Sequence, residues 1–154
     1  KGSYAGALGK PQFISSSYRN YAIDFDGDNY ADLWDSNADV IGSVANYLKR
    51  NGWLRNGLIL TDLSVDNNKS TLEKLSKKTY KPHTSYKNYL NLKIIAPRKI
   101  NSNEKLSVIK RIEGNNDVFS FGHNNFYIIT RYNRSRLYAL AVYTLADKIK
   151  TQSQ

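Results

Sequence analysis

Cysteine is absent from all 154 residues, and so is methionine. The first absence excludes disulfides, thiolate metal sites and a cysteine nucleophile. The second leaves the chain, which begins at Lys1, without an initiator residue, as expected of a processed product or a piece of a longer protein. Histidine is nearly absent: His83 and His123 are too few for a His-based zinc site. Neither lies in a nucleophile-elbow context, which argues against a Ser-His-Asp triad. No apolar run approaches the ~18 residues that span a bilayer. The longest, Leu137 to Ala146, has ten residues and includes Thr144. No charged-then-apolar start marks a signal peptide.

What remains suits one modest domain or part of a larger one. Apolar residues make up 40% and charged residues 23%, enough apolar side chains for a packed core and too few charges for wholesale disorder. The net charge of +10 is unevenly placed. Residues 1–46 hold three Lys/Arg against six Asp, a balance of −3, and residues 47–154 hold twenty against seven acids, a balance of +13. A basic body with an acidic cluster points to an anionic partner for the first and a cation for the second. A solvated lysine-rich surface accounts equally well for most of these residues.

Residues 1–23 open with small residues, then Pro11-Gln12-Phe13-Ile14 and Ser15-Ser16-Ser17, which reads as a helix N-terminus. Residues 24–39 form an Asp-rich loop. Residues 39–50 read as an amphipathic helix capped by Asp39 and ended by Gly52. Residues 58–122 are richer in Lys and Asn. There Ser70-Thr71-Leu72-Glu73 is a capping-box pattern, and 106–112 and 118–121 read as strands about a turn at 114–117. Residues 126–130 are apolar and short. A final helix over 135–149 places Leu137, Leu140, Ala141, Leu145 and Ile149 on one face. The expected division is a core segment over 1–57, a small β-containing domain over 58–122 and a return to the core over 123–154.

Three constellations bear on chemistry. Asp24, Asp26 and Asp28 alternate in a short loop, as a hard cation such as Ca²⁺ requires of its oxygen ligands, and the Tyr30 carbonyl lies at position 7. Gly27 is at position 4 rather than 6, and Asp35 stands at position 12 where an EF-hand has Glu. Three alternating carboxylates repel one another without a cation. Aromatic and amide residues near Gln12-Phe13 and Tyr132-Asn133, with Tyr138 beyond, suit sugar rings and hydroxyls, although plain packing explains the tyrosines as well. Glycosidic cleavage needs a carboxyl buried in an apolar pocket. The three glutamates, Glu73, Glu104 and Glu113, all sit in the polar Lys-rich stretch, and none is flanked by a burying pattern.

The longer motifs say more. Gly2-Ser3-Tyr4-Ala5-Gly6-Ala7-Leu8-Gly9-Lys10-Pro11-Gln12-Phe13-Ile14 resembles a signature of the bacterial membrane-bound lytic murein transglycosylases of the B type. So do Tyr21-Ala22-Ile23-Asp24-Phe25-Asp26-Gly27-Asp28, Asn125-Phe126-Tyr127-Ile128-Ile129-Thr130-Arg131-Tyr132-Asn133 and Leu137-Tyr138-Ala139-Leu140-Ala141-Val142-Tyr143. The resemblance covers about 1–57 and 123–149. It implies an α+β, lysozyme-like fold: a mainly helical core, a small β-containing insert and an EF-hand-like loop. It implies cleavage of the MurNAc–GlcNAc β-1,4 bond without water, leaving 1,6-anhydromuramoyl ends, with peptidoglycan glycan strands as partner and a periplasmic, outer-membrane-anchored setting. Ser3, Gln12, Phe13, Tyr47, Tyr132, Asn133 and Tyr138 match its substrate-binding positions. Asp24, Asp26, Asp28, the Tyr30 carbonyl and Asp39 match its Ca²⁺ loop. The loop spacing alone leaves Asp35 as a rival to Asp39. The family's catalytic glutamate belongs to an upstream motif that this sequence does not contain, so no catalytic residue is assigned. The expectation is the C-terminal portion of such an enzyme. A wall-binding module without activity is the alternative. A nucleic-acid-binding domain is disfavoured, because the basic residues concentrate in the insert.

Overall fold

The computed structural model describes residues 6–65 and 68–152. Its internal contacts divide the chain into two compact units, Lys1–Gly52 and Trp53–Gln154.

The first unit holds two helices, α1 (Ser15–Tyr21) and α2 (Asn37–Arg50), joined by the Asp-rich loop. α1 starts where the serine run predicts. α2 starts earlier than expected, and its cap is Ser36 rather than Asp39. The Asp39 N–H donates to Ser36 Oγ at 3.2 Å, which places Asp39 in the first turn with its carboxylate free for other work. The unit has a small core. Phe13 and Tyr47 are buried with ring centroids 6.0 Å apart, and Tyr21 meets Tyr47 edge-on at 4.7 Å. Leu33 is fully buried.

The second unit is built on a four-stranded antiparallel sheet of spatial order β1-β4-β3-β2, with β1 Leu60–Asp62, β2 Thr84–Ser85, β3 Lys105–Glu113 and β4 Asn116–Gly122. The β3–β4 hairpin is the one the sequence predicts, with a tighter turn. Glu113 pairs with Asn116, so only Gly114 and Asn115 lie outside the ladder and Asp117 belongs to the strand. Alternation divides the strands between two faces. Leu106, Val108, Phe119 and Phe121 join Leu72 of α3 (Lys69–Ser76) and Tyr86 and Tyr89 of α4 (Tyr86–Asn91) in one core. Leu60 and Ile109 join Phe126 and Ile129 of α5 (Asn124–Tyr132) and Ala139 of α6 (Arg136–Gln152) in the other. Helices thus cover both faces of the sheet. This is why Leu106 through Ile109 are buried without a break.

Several local expectations are corrected. β1, β2 and α4 were not expected, since runs of two to six residues carry no readable period. α3 begins at Lys69 with no side-chain cap bond, so the Ser70–Glu73 box is not used as one. The stretch 126–130 is part of helix α5. The largest correction concerns α6. Leu137, Leu145 and Ile149 are 73%, 60% and 55% exposed, whereas Ala139 is buried and Tyr138, Leu140, Val142 and Tyr143 pack against the same core. The inward stripe is i, i+3, i+4 from Ala139, with Leu140 and Tyr138 at its sides. Of the expected stripe, Leu140 faces this core, while Leu137, Leu145 and Ile149 do not. The contacts place α5 and α6 in the same unit as the sheet.

Candidate functional site

The loop between α1 and α2 is shaped by its acids. Gly27 and Asn29 take left-handed backbone angles, φ +83° and +75°, which these two residue types tolerate. The Gly27 and Asn29 N–H groups donate to the two oxygens of Asp24 at 2.6 and 2.8 Å. The Tyr30 N–H donates to Asp28 at 2.9 Å, and the Ser36 hydroxyl to Asp26 at 2.7 Å. Below them Asp39 is fully buried, accepting from the N–H groups of Phe25 at 2.7 Å, Asp32 at 2.8 Å and Asp26 at 3.4 Å. Gly42 on α2 permits the seating of the loop, because a Cβ there would stand 2.7 Å from the Phe25 ring.

Asp24, Asp26, Asp28 and Asp39 each bring a carboxylate oxygen to within 4.8 Å of the others. Three are exposed and one is buried, so the cluster opens to solvent on one side. The four fit a hard cation: oxygen donors, three of them alternating along a loop whose backbone is held by its own N–H bonds and the fourth from the first turn of α2. Asp35, the rival by spacing, is not in this cluster. The Tyr30 carbonyl accepts the Asp32 N–H at 3.1 Å, which leaves its second lone pair.

The Phe25 N–H, seconded by those of Asp32 and Asp26, holds the Asp39 carboxyl below its ordinary value against the opposing effect of burial. A depressed carboxyl contributes stability above its unfolded value, 3.8, and that contribution is lost as pH falls through the lower folded value. Acid unfolding of the first unit, followed by Trp34 fluorescence in a Trp53→Phe background, is therefore expected to steepen below about pH 4. Asp39→Asn should lower the melting temperature at neutral pH and flatten that acid limb. An unchanged acid limb in the variant would show that Asp39 does not set it.

The expected substrate-binding residues fall into two kinds. Phe13 and Tyr47 are buried parts of the first unit's core. Gln12 is exposed and held at φ +54°, a conformation rare for glutamine, with its side-chain amide donating to the Gly9 carbonyl at 2.9 Å. Such strain is often kept where a side chain must be aimed. In the second unit Asn133 ends α5 as an extended C-cap with its side chain exposed. The rings of Tyr132 and Tyr138 lie parallel, 2° apart in plane and 6.2 Å between centroids. Tyr138 is half-buried, and burial pushes its phenol up. Ser3 lies outside the described residues.

Two buried polar residues were not anticipated. Asn125 is 1% exposed. Its amide accepts from the Leu54 N–H and donates to the carbonyls of Leu54 and Gly57, and so fastens the 54–57 turn to α5. His123, 2% exposed, bonds Thr61 Oγ1 at 2.9 Å and Glu104 Oε1 at 2.7 Å. Sequence offered only one cue for each, a polar residue flanking an apolar run. Glu104 also lines a cavity of about 540 Å³ with Tyr127, Asn124 and Lys105. The remaining two glutamates form ion pairs: Glu73 with Lys110 at 2.6 Å, and Glu113 with Arg111 at 2.7 Å.

Residues 1–147 match the family model described as the transglycosylase SLT domain. The chain belongs to this family. Over 149 residues it is 36% identical to the membrane-bound lytic murein transglycosylase B of Escherichia coli K12, covering 97% of this chain and 39% of that protein. The SLT-domain fold is likewise shared with solved structures. The catenated lytic transglycosylase SltB1 of Pseudomonas aeruginosa superposes with a TM-score of 0.91 at 35% identity, over 100% of this chain and 50% of that one. The Escherichia coli lytic transglycosylase Slt35 in complex with calcium gives a TM-score of 0.83 at 33% identity, over 99% and 46%. The architecture is thus the lysozyme-like α+β fold of lytic transglycosylases, and this SLT-domain chain spans about half the length of the solved relatives, or less. Among the described residues no helix is long and apolar enough to cross a membrane.

Proposed function

We propose that this chain is the glycan-contacting and cation-binding portion of a peptidoglycan lytic transglycosylase that works in the periplasm. The observation that carries the reading is the family match over residues 1–147, with 36% identity to a murein transglycosylase. The chemistry is non-hydrolytic. A carboxylic acid protonates the leaving oxygen of the MurNAc–GlcNAc bond, and the resulting carboxylate then draws the proton from the muramoyl C6 hydroxyl, which closes on C1. This chain's own part is to hold the strand. Exposed Asn133 and Gln12 offer amides to sugar hydroxyls, and the Tyr132–Tyr138 pair offers a flat apolar face to a ring. Buried Phe13 and Tyr47 support the segment that carries Gln12. Ser3, by resemblance, adds a hydroxyl.

The test is a chain extended to the length of the relatives and incubated with purified peptidoglycan. Mass spectrometry should find 1,6-anhydromuropeptides, and Asn133→Ala should reduce their release without lowering the melting temperature. Hydrolysed, reducing ends in their place would overturn the reading.

The acidic cluster is read as a Ca²⁺ site formed by Asp24, Asp26, Asp28 and Asp39 with the Tyr30 carbonyl, a structural rather than a chemical role. A Ca²⁺ concentration a hundredfold above its dissociation constant should stabilise the fold by about 2.7 kcal/mol by mass action. Mg²⁺, which demands a tighter octahedron, should do less. Asp26→Asn should weaken the effect. Equal melting temperatures of the folded chain in millimolar Ca²⁺ and in chelator would remove the site.

A further inference from the structure

The acids of the second unit are largely committed to a few cations. Glu73 and Asp117 pair with Lys110, Asp117 also with Lys69, and Asp62 and Glu113 with Arg111. Other cations are left over, and three of them converge. Lys77 and Lys78 leave the C-terminus of α3, and Arg136 opens α6. Together with Thr79 and Tyr80 they line a cavity of about 650 Å³ that Lys110 and Glu73, paired with each other, also line. Among the described residues, no acidic group lies within ion-pair distance of Lys77, Lys78 or Arg136. Lys77, Lys78, Thr79 and Tyr80 are exposed. Three uncompensated cations beside hydroxyl donors make an anion-binding cavity, and the arginine fork matches a carboxylate in particular.

We propose that this cavity binds the carboxylates of the peptide stems borne by the wall glycan, a role that rests on the reading of Asn133 as a sugar contact. The argument is one of reach. Arg136 follows Asn133 by three residues, so their Cα atoms are at most ~11 Å apart at 3.3–3.6 Å per residue. A peptide attached to a sugar at Asn133 covers that span, and the length of a side chain beyond it, with about five extended residues. The cavity volume is that of a small-ligand site, suited to a few residues rather than to a folded partner. A phosphate-bearing wall polymer would satisfy the cations too, but amidase stripping leaves its phosphates in place, so that treatment tells the two sources apart.

The experiment is cosedimentation of the 154-residue chain with three preparations of purified sacculi: intact, stripped of peptides by an amidase, and intact with stem carboxylates converted to amides by carbodiimide and ammonia. Binding to the stripped and the amidated sacculi should be about tenfold weaker than to intact ones, the size of one lost charge-assisted hydrogen bond. Lys77→Ser with Lys78→Ser and Arg136→Ser should bind intact sacculi at that weaker level. Lys77 caps the negative end of α3, so the variant's melting temperature is measured beside it. If the variant does not fold, a free stem peptide added to the wild-type chain must shift the NMR resonances of Lys77, Lys78 and Arg136. Equal binding to intact and stripped sacculi overturns the proposal and leaves the glycan reading standing. Binding to none of the three overturns both. Weakening on stripping but not on amidation overturns the carboxylate assignment, and so does an unchanged triple variant.

Discussion

The 154-residue chain alone, incubated with purified peptidoglycan, is expected to release no 1,6-anhydromuropeptides. Its three glutamates are all engaged: Glu73 by Lys110, Glu113 by Arg111 and Glu104 by His123. An acid that must hand a proton to a glycosidic oxygen needs an apolar pocket and no cation beside it. Glu73 and Glu113 each face a cation, Glu104 is held by a hydrogen bond to His123, and the family's glutamate motif is not in the sequence. Loss of general acid–base catalysis by itself costs about 10²–10⁴-fold in rate. Mass spectrometry of the digest checks this. Anhydro products that disappear with Glu104→Gln would point to Glu104, in its cavity beside Tyr127, as the acid and refute the expectation.

Phe121→Ala is expected to cost about 3–5 kcal/mol of stability in the second unit, a large share of the 5–15 kcal/mol typical of a whole domain. Phe121 is fully buried, 4.8 Å from the Tyr89 ring centroid and edge-on to Tyr86 at 5.7 Å. Truncation would empty the contact between β4 and α4 and leave two tyrosines without their ring partner. Leu137→Ala, on the exposed side of α6, should cost no more than about 0.5 kcal/mol. Urea unfolding followed by Trp53 fluorescence in a Trp34→Phe background measures both. If the Leu137 variant proves the more damaging, the burial of α6 described above is wrong.

The pair of variants also marks where sequence was readable. The β3–β4 hairpin and α2 announce themselves through alternation and helical spacing, and the Asp-rich loop through charge alone. The spacing places α6 but orients it only in part. Leu140 packs inward as its spacing predicts, yet Tyr138 and Tyr143 share that side while Leu137 and Leu145 face water. The sequence offers Asp39 in two roles, as a helix cap and as a ligand. The cap is Ser36, three residues earlier, and the carboxylate thereby released accepts N–H groups from the loop. Spacing by itself could not choose between Asp35 and Asp39, because that choice depends on how the chain folds back over α2. Asn125 and His123 were missed for a related reason. Their partners, Leu54 and Gly57 for one and Thr61 and Glu104 for the other, lie 19 to 71 residues away, beyond the reach of any local pattern.

The sheet has its long strands inside and its short ones outside. β3 and β4, of nine and seven residues, are central, while the outer strands β1 and β2 have three and two. An outer strand of two or three residues offers too few open amide and carbonyl groups to nucleate addition of another chain. A basic protein concentrated against an anionic polymer meets other copies of itself at high local density, where edge-to-edge stacking is the usual route to precipitation. Here the aggregation-prone segment, Leu106 to Ile109, is buried: β4 pairs along Ser107 to Ile109, β2 pairs at Leu106, and helices cover both faces. Shear or mild heating should therefore produce fibrils only after the whole unit has unfolded, with thioflavin fluorescence lagging behind the loss of near-ultraviolet circular dichroism.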